Sequence, residues 1–171
     1  MAATKNAQSI KKDTKEFLTI ALTELLKKSP LKDITISQVV VKAGVSRMAF
    51  YRNFDTLEQI LYEYYESKIG SVFEIIKSNS AKSVKLSVHL NFFKNFGEEL
   101  ILSYKHGYDT IIHDIFTKMV ESFYGADDND YRITFMAAGA YAVWKKWLLG
   151  GKKAPLEEVM RIISAFDGAF A

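Results

Sequence analysis

Apolar residues at helical spacing run through almost the whole chain, and this pattern constrains the fold more than any other feature. Positions i, i+3, i+4 and i+7 lie on one face of a helix, whereas the alternation of a half-buried strand is scarce here. Only two prolines occur in the 171 residues. The sequence therefore predicts an all-α fold. The predicted helices cover 9–28, 35–44, 47–53, 57–77, 84–95, 97–104, 108–124, 128–149 and 155–168.

The segment from Thr35 to Phe54 combines two short helical stretches with a corner between them. Three consecutive valines in the first stretch would suit a strand, but the helical spacing is complete and Gly44 follows where a helix often ends. Val45 fills the turn, and Ser46 stands where an N-cap would start the second helix. This is the pattern of a helix-turn-helix, with an ordinary helical hairpin as the alternative. The apolar face of the first helix consists of Ile36, Val39, Val40 and Ala43.

The second helix has to anchor one side in the protein and expose the other to a DNA groove. Phe50 and Phe54, four residues apart, are the predicted inward anchors. Arg47 opens the helix and can make bidentate hydrogen bonds to guanine O6 and N7. Tyr51 and Arg52 are expected to contact phosphates instead. The residues predicted to face outward are Arg47, Met48, Tyr51 and Arg52.

Positive charge is concentrated in the part of the chain that holds this segment. Residues 1–54 contain ten Lys and Arg against four Asp and Glu, whereas residues 55–171 contain thirteen against sixteen. A basic first third suggests a polyanion-binding module, although surface lysines can also cluster by chance. Thr35 and Ser37, at the start of the first short helix, could hold a phosphate through their hydroxyls and the free backbone N–H groups.

The run from Thr35 to Phe54 resembles the DNA-binding domain of TetR/AcrR-family regulators. Gly-Val-Ser at 44–46 followed by Phe-Tyr-x-x-Phe at 50–54 carries the resemblance, which extends over residues 10–62. The segment Ala137–Gly151, with two glutamates at 157 and 158, is similar to the C-terminal domain of a subgroup that includes dihydroxyacetone-kinase regulators.

This resemblance implies an all-α chain of about nine helices, with a helix-turn-helix head of three helices at 1–56 and a regulatory and dimerisation body at 57–171. Members of the family are usually repressors that leave DNA when a small ligand enters the body. The resemblance also implies that Thr35 and Tyr51 contact phosphates and that Arg47, Met48 and Ala49 face bases. The predicted DNA-binding residues are Thr35, Ser37, Ser46, Arg47, Met48, Ala49, Tyr51 and Arg52.

One position departs from the family pattern. A lysine usually opens the fourth helix within a Phe-x-Ser-Lys-Glu run, whereas residues 54–58 here read Phe-Asp-Thr-Leu-Glu, with Leu57 in the lysine's place. The departure removes a phosphate contact, and Asp55 adds a repelling charge nearby. It keeps open a second interpretation, in which the chain is a TetR-like co-activator or a protein-interaction module with weakened DNA binding.

Aromatic and histidine residues are dense between 89 and 116. They could line a cavity for a small-molecule effector, or they could form the ordinary core of a helical body. The three histidines lack a metal-ligand spacing such as His-x-x-x-His, so neither a metal site nor a cofactor is expected. The candidate pocket residues are Phe92, Phe96, Tyr104, Tyr108, His113 and Phe116.

The last two predicted helices, 128–149 and 155–168, are rich in apolar residues that would form a large exposed patch on a lone hairpin. We therefore expect an isologous four-helix interface between two copies, with burial inside a monomer as the alternative. Two heads in such a homodimer would read a near-palindromic operator. The candidate interface residues are Tyr141, Trp144, Trp147, Leu148, Val159, Ile163 and Phe166.

Several other classes fit the sequence poorly. The absence of cysteine excludes disulfides, thiolate metal sites and cysteine nucleophiles. The chain has no Gly-rich phosphate loop and no Gly-x-Ser-x-Gly, so we do not expect an enzyme. No apolar run approaches the ~18 residues of a membrane span, and the polar N-terminus lacks the core of a secretory signal. The expected function is a cytoplasmic, homodimeric transcription regulator, a ligand-responsive repressor that binds double-stranded DNA.

Overall fold

The computed structural model describes the backbone of residues 2–79, 82–124 and 130–168, and side chains within 11–79, 86–124 and 131–165. Over these residues the chain is all-α, without strands, which confirms the predicted fold class. A short 3-10 turn at Leu31–Asp33 separates the first two of the eight α-helices found in the described ranges. These are α1 (Ala2–Leu26), α2 (Ile36–Ala43), α3 (Arg47–Tyr51), α4 (Leu57–Ser78), α5 (Lys82–His106), α6 (Asp109–Tyr124), α7 (Asp130–Leu149) and α8 (Leu156–Gly168).

The prediction of separate helices at 84–95 and 97–104 is wrong, because α5 continues through Gly97. A glycine inside a helix costs about 1 kcal/mol relative to alanine, but it does not interrupt the backbone hydrogen bonds. A Cβ at Gly97 would lie 2.8 Å from Lys152 Nζ, the end of a flexible side chain, and 3.7 Å from Leu148 Cδ2, so Gly97 faces the end of α7 and the residues after it. The helix ends instead before Gly107, whose φ of +77° lies in the left-handed region.

The first helix begins earlier than the predicted Ser9 and ends before the predicted Lys28. Its first turns lack an apolar stripe, but they are rich in alanine and other good helix formers. At the other end the N–H groups of Lys28 and Ser29 both donate to the Leu25 carbonyl, at 2.9 and 3.0 Å. The chain therefore leaves the helix in a turn just before Pro30, as the proline requires.

The described chain forms two compact units. The first holds residues up to Tyr65 together with Leu102–Ile111, and the second holds Glu66–Ile101 and the residues from Ile112 onward. Within the first unit, α1 packs on α2 and α3. The predicted division after residue 56 therefore differs from the boundary that the packing follows, since the first turns of α4 belong to the first unit.

Two contacts join the segment Leu102–Ile111 to the rest of the first unit. The Tyr108 ring is almost fully buried and stacks on Tyr65, with 6.3 Å between ring centroids. His106 Nδ1 lies 2.8 Å from the Ser29 carbonyl oxygen. A carbonyl oxygen only accepts, so Nδ1 carries the proton of this hydrogen bond. The corner between α5 and α6 is thus a part of the first unit's core.

The second unit is built around α7, which packs on α8. The indole Nε1 of Trp147 donates to the Ala154 carbonyl at 2.8 Å and ties the connecting turn to the end of α7. A small buried cluster joins α6 to the first turns of α7, and Phe73, Phe116 and Tyr124 pack against it. The cluster consists of Val120, Ile133 and Ala137.

Candidate nucleic-acid interface

Two side chains close the N-terminus of α2. The Thr35 hydroxyl oxygen accepts the N–H of Gln38 at 3.3 Å, and Gln38 Oε1 accepts the N–H of Thr35 at 2.7 Å. This reciprocal pair is a capping box. The Thr35 hydroxyl also donates to Gln38 Oε1 at 3.0 Å, so its proton is already engaged inside the cap. Of the four N–H groups at this helix end, those of Ile36 and Ser37 remain for an outside acceptor.

Gly44 forms the corner between α2 and α3. Its φ of 68° and ψ of 26° lie in the left-handed region, as the sequence predicts. Nothing lies within 4 Å of a Cβ built at this position, so conformation rather than space favours glycine here. The N–H of Val45 then donates to the Val40 carbonyl at 3.0 Å, and this bond closes the turn.

The short helix α3 is capped by Ser46, whose hydroxyl accepts the Ala49 N–H at 3.1 Å. The helix ends at Tyr51, two residues before the predicted end. Phe50 is fully buried and Phe54 almost so, with 6.3 Å between their ring centroids. Their predicted role as inward anchors is confirmed.

The opposite side of α3 faces solvent. Arg47, Tyr51 and Arg52 are exposed, and Met48 keeps 66% of its surface accessible. Ala49 is half-buried at the edge of this surface. The exposed side thus carries two guanidinium groups, a phenol and a thioether. Guanidinium groups can bind phosphate or guanine, and small apolar groups can contact the methyl group of thymine.

A side-chain hydrogen bond joins the two short helices. Arg47 Nη2 donates to the Ser37 hydroxyl oxygen across the corner, ten residues apart in sequence. Ser37 is predicted as a phosphate contact, and the structure gives its hydroxyl this additional partner. Ser46 likewise uses its oxygen in the α3 cap, so each of the three predicted hydroxyl contacts already takes part in a bond within the protein.

An ion pair joins α2 to α1. Lys42 Nζ lies 2.6 Å from Glu24 Oε2. The hydrogen bond from Lys42 and its charge lower the pKa of the Glu24 carboxyl, and the charges of Lys27 and Lys28 add to this effect. The pair is solvent-exposed, and such pairs contribute little to stability.

A second ion pair lies beside the anchor ring. Lys15 Nζ lies 2.5 Å from Glu63 Oε2 and 4.8 Å from the centroid of the Phe54 ring. Both residues of this pair retain part of their exposure. It links α1 to the first turns of α4, within the same unit.

Leu57, where the family has a lysine, is only 7% exposed at the start of α4. Thr56 caps the helix by accepting the Gln59 N–H at 3.2 Å, and Gln59 Oε1 accepts the Asp55 N–H at 2.7 Å. Position 57 thus contributes to the core and presents no cation.

The six candidate pocket residues fall in both units. Tyr104 and Tyr108 belong to the first unit, whereas the other four belong to the second. Within the second unit, His113 and Phe116 contact the Tyr141 ring, at 4.6 and 5.9 Å between centroids.

Phe92 and Phe96 also lie in the second unit, with 5.4 Å between their centroids. Lys68 Nζ lies 3.8 Å from the centroid of the Phe96 ring. Burial lowers the pKa of the Lys68 ammonium, and the Glu99 carboxylate partly opposes this. Lys68 is a partly desolvated cation on an aromatic ring that the sequence reasoning missed, and no sequence spacing points to it.

Three candidate interface residues are already buried within one chain: Trp144, Leu148 and Val159. Trp144 is covered by Phe93 and His89, at 4.7 and 5.6 Å between ring centroids. For these three side chains the alternative of burial inside the monomer holds. Tyr141, Trp147 and Ile163 are half-buried, and the Phe166 side chain lies outside the described residues.

A different face of α7 is exposed. Apolar residues spaced four, three, four and seven apart lie within one narrow sector of the helix, and all of them are exposed. Tyr131 retains 86% of its surface, and Phe135 and Leu149 about half. We call this set the outer stripe. It consists of Tyr131, Phe135, Ala138, Ala142 and Leu149.

Among the described residues no group of three or more His, Asp or Glu side chains could hold a metal ion. No helix in the described ranges is long and apolar enough to cross a membrane. In the comparisons with known proteins, no protein-family model matches the chain and no curated protein matches it.

Proposed function

We propose that the chain is a DNA-binding transcription regulator that acts as a homodimer on a near-palindromic operator. The observation that carries this proposal is the build of residues 35–54. Two capped helices meet at a left-handed glycine, and the second helix buries two phenylalanines while it exposes two arginines. A helix-turn-helix that reads DNA needs this division between anchored and exposed sides.

In this proposal α3 enters the major groove and α2 lies against the backbone. Arg47 and Met48, on the first turn of α3, contact base edges. Arg52 and Tyr51 contact phosphates. The N–H groups of Ile36 and of the residue after it hold a further phosphate at the positive end of α2. Thr35 supports that contact indirectly, because its capping box holds the helix end in shape.

The outer stripe supports the homodimer. A row of exposed apolar side chains, with alanines in the middle, lets two helices approach closely across a two-fold axis. An exposed apolar surface of this extent marks an interaction site more often than bare surface. The proposed interface is therefore the outer stripe of α7 and not the buried side of this helix.

We extend the proposal to repression relieved by a small effector bound in the second unit. The ring contacts among His113, Phe116 and Tyr141 support a site with apolar walls and a polar group.

The experiment is a binding measurement on a pool of duplexes with a randomised centre. We expect one sequence to be enriched, and its Kd to rise steeply with salt because cationic side chains release counterions. Arg52→Ala should lower the slope of log Kd against log salt by about 1, whereas Lys94→Ala, an exposed lysine of the second unit, should leave it unchanged. Absence of enrichment, or binding insensitive to salt, contradicts the proposal.

The buried state of Leu57 favours a second candidate function, that of a co-activator or protein-interaction module. The start of α4 presents no cation to a phosphate, and this lowers the DNA affinity of a single helix-turn-helix. The same experiment separates the two. A protein-interaction module would enrich no duplex, and it would still use the exposed side of α3 to bind a partner protein.

A further inference from the structure

The hydrogen bond between α2 and α3 points to a role for Ser37 other than a phosphate contact. We propose that Ser37 is a positioning residue that holds the guanidinium of Arg47 ready for base reading. This inference rests on the proposed function, because it concerns how the exposed side of α3 meets DNA. It goes beyond that function by naming the residue on which discrimination at one base pair depends.

The donor count of the guanidinium allows the arrangement. An arginine carries five N–H donors, and the Ser37 hydroxyl oxygen accepts one of them from Nη2. Four donors remain, and the O6 and N7 acceptors of guanine take two. The bond to Ser37 therefore leaves Arg47 able to read a base.

The geometry also explains why a hydrogen bond from Ser37 would help Arg47 to bind a base. Arg47 is the first residue of a helix only five residues long, and its side chain is exposed. A long flexible side chain loses conformational entropy when it binds in one orientation. A hydrogen bond made before DNA arrives restricts that freedom in advance, so less is lost on binding.

The local structure of α2 fixes the position of Ser37. Ser37 is the second residue of α2, and the capping box of Thr35 and Gln38 fixes the first turn of this helix. The left-handed conformation of Gly44 sets the direction in which α3 leaves α2. Because both helix ends are constrained, the hydroxyl of Ser37 stays within reach of the guanidinium.

The test compares Ser37→Ala, Arg47→Ala and the double variant on the duplex that the wild-type protein enriches and on its single-base-pair variants. We expect Ser37→Ala to lose about three- to tenfold of the discrimination at the base pair that Arg47 reads. In the Arg47→Ala background the serine substitution should have no further effect. Ser37→Thr keeps the hydroxyl and should restore discrimination, and Ser71→Ala, an exposed serine of α4, should change nothing.

Two results would overturn the inference. If Ser37→Ala weakens binding equally to every duplex and adds to Arg47→Ala, the serine is a phosphate contact. If no duplex is enriched at all, the proposed function fails and the positioning role with it. NMR of the Arg47 Nη2–H protons in the DNA-free protein distinguishes these cases. The hydrogen bond between Ser37 and Arg47 predicts a signal that is protected from exchange with solvent, and Ser37→Ala should remove this protection whether or not DNA binds.

Discussion

The two units bury their side chains to different degrees. Of the ten described side chains that are at most 1% exposed, eight lie in the first unit, and Ile115 and Ala137 lie in the second. The second unit instead has many aromatic ring contacts between half-buried residues, and the exposed outer stripe on α7. The eight in the first unit are Leu18, Leu22, Leu26, Val39, Phe50, Ile60, Leu61 and Ser103.

The difference in burial indicates which unit would gain more from association with a second copy of the chain. The first unit holds most of the almost fully buried side chains, and such a core can hold α3 in one orientation toward a ligand as large as DNA. The second unit leaves a row of apolar side chains in solvent, which is the condition that association with a second copy relieves. DNA recognition is thus proposed for the first unit and dimerisation for the second, so substitutions can perturb the two properties separately.

The largest expected effect comes from the core of the first unit. Phe50→Ala removes a fully buried ring from beneath α3, and we expect the free energy of unfolding to fall by about 3–5 kcal/mol. Urea denaturation followed by circular dichroism measures the change. Met48→Ala is the matched control, because Met48 is 66% exposed on the same helix and should change stability by less than about 0.5 kcal/mol. Equal losses in both variants would contradict the assignment of the two sides of α3.

The next effect concerns association. Phe135→Glu puts a charge into the outer stripe beside its alanines, and like charges would then approach each other in a two-fold dimer. We expect the Kd of the dimer, measured by sedimentation equilibrium, to rise by about 100-fold or more, with monomer stability retained. Ile75→Glu changes an exposed isoleucine on α4 and serves as the control. If the Phe135→Glu variant pairs as tightly as the wild type, the interface lies elsewhere.

Residues 35–54 could be predicted in detail because their determinants are local. The corner glycine, the serine N-cap and the two phenylalanines four apart act within a few residues of one another. The capping box was also available as a sequence signal, since Gln38 follows Thr35 by three positions. The bond between Ser37 and Arg47 was not, because it depends on the angle at which α3 leaves the corner.

The second unit could be predicted less well, since its determinants are tertiary. Gly97 suggests a helix break in the sequence, but α5 continues through it, and Gly97 faces Leu148 and the end of the Lys152 side chain. The faces of α7 could not be told apart from composition, because large apolar residues lie on both sides. Trp144 is buried since α5 carries Phe93 against it, and no pattern within α7 itself contains that information.

A smaller effect is expected at the cap of α2. Thr35→Ala removes the side chain that accepts the Gln38 N–H, and loss of an N-cap typically costs about 1 kcal/mol. Unfolding in urea measures this loss. Thr35→Ser keeps the hydroxyl and should retain most of the stability, whereas a fall as large as that of Thr35→Ala would show that the methyl group matters more than the cap.

The smallest effect is a pH dependence in the first unit. Lys42 holds the pKa of Glu24 below its usual range. The folded carboxyl therefore binds its proton less tightly than the unfolded one, so the pair stabilises the fold above the unfolded pKa. That contribution is lost as the pH falls through the folded pKa. Glu24→Gln should lower the Tm slightly at neutral pH and not at all in strong acid, and added salt should shrink the difference because the pair is exposed.

Glu16→Gln, an exposed carboxylate on the same helix with no ion pair among the described side chains, is the control. A Tm difference for Glu24→Gln that persists unchanged in acid would mean that its contribution comes from packing and not from charge.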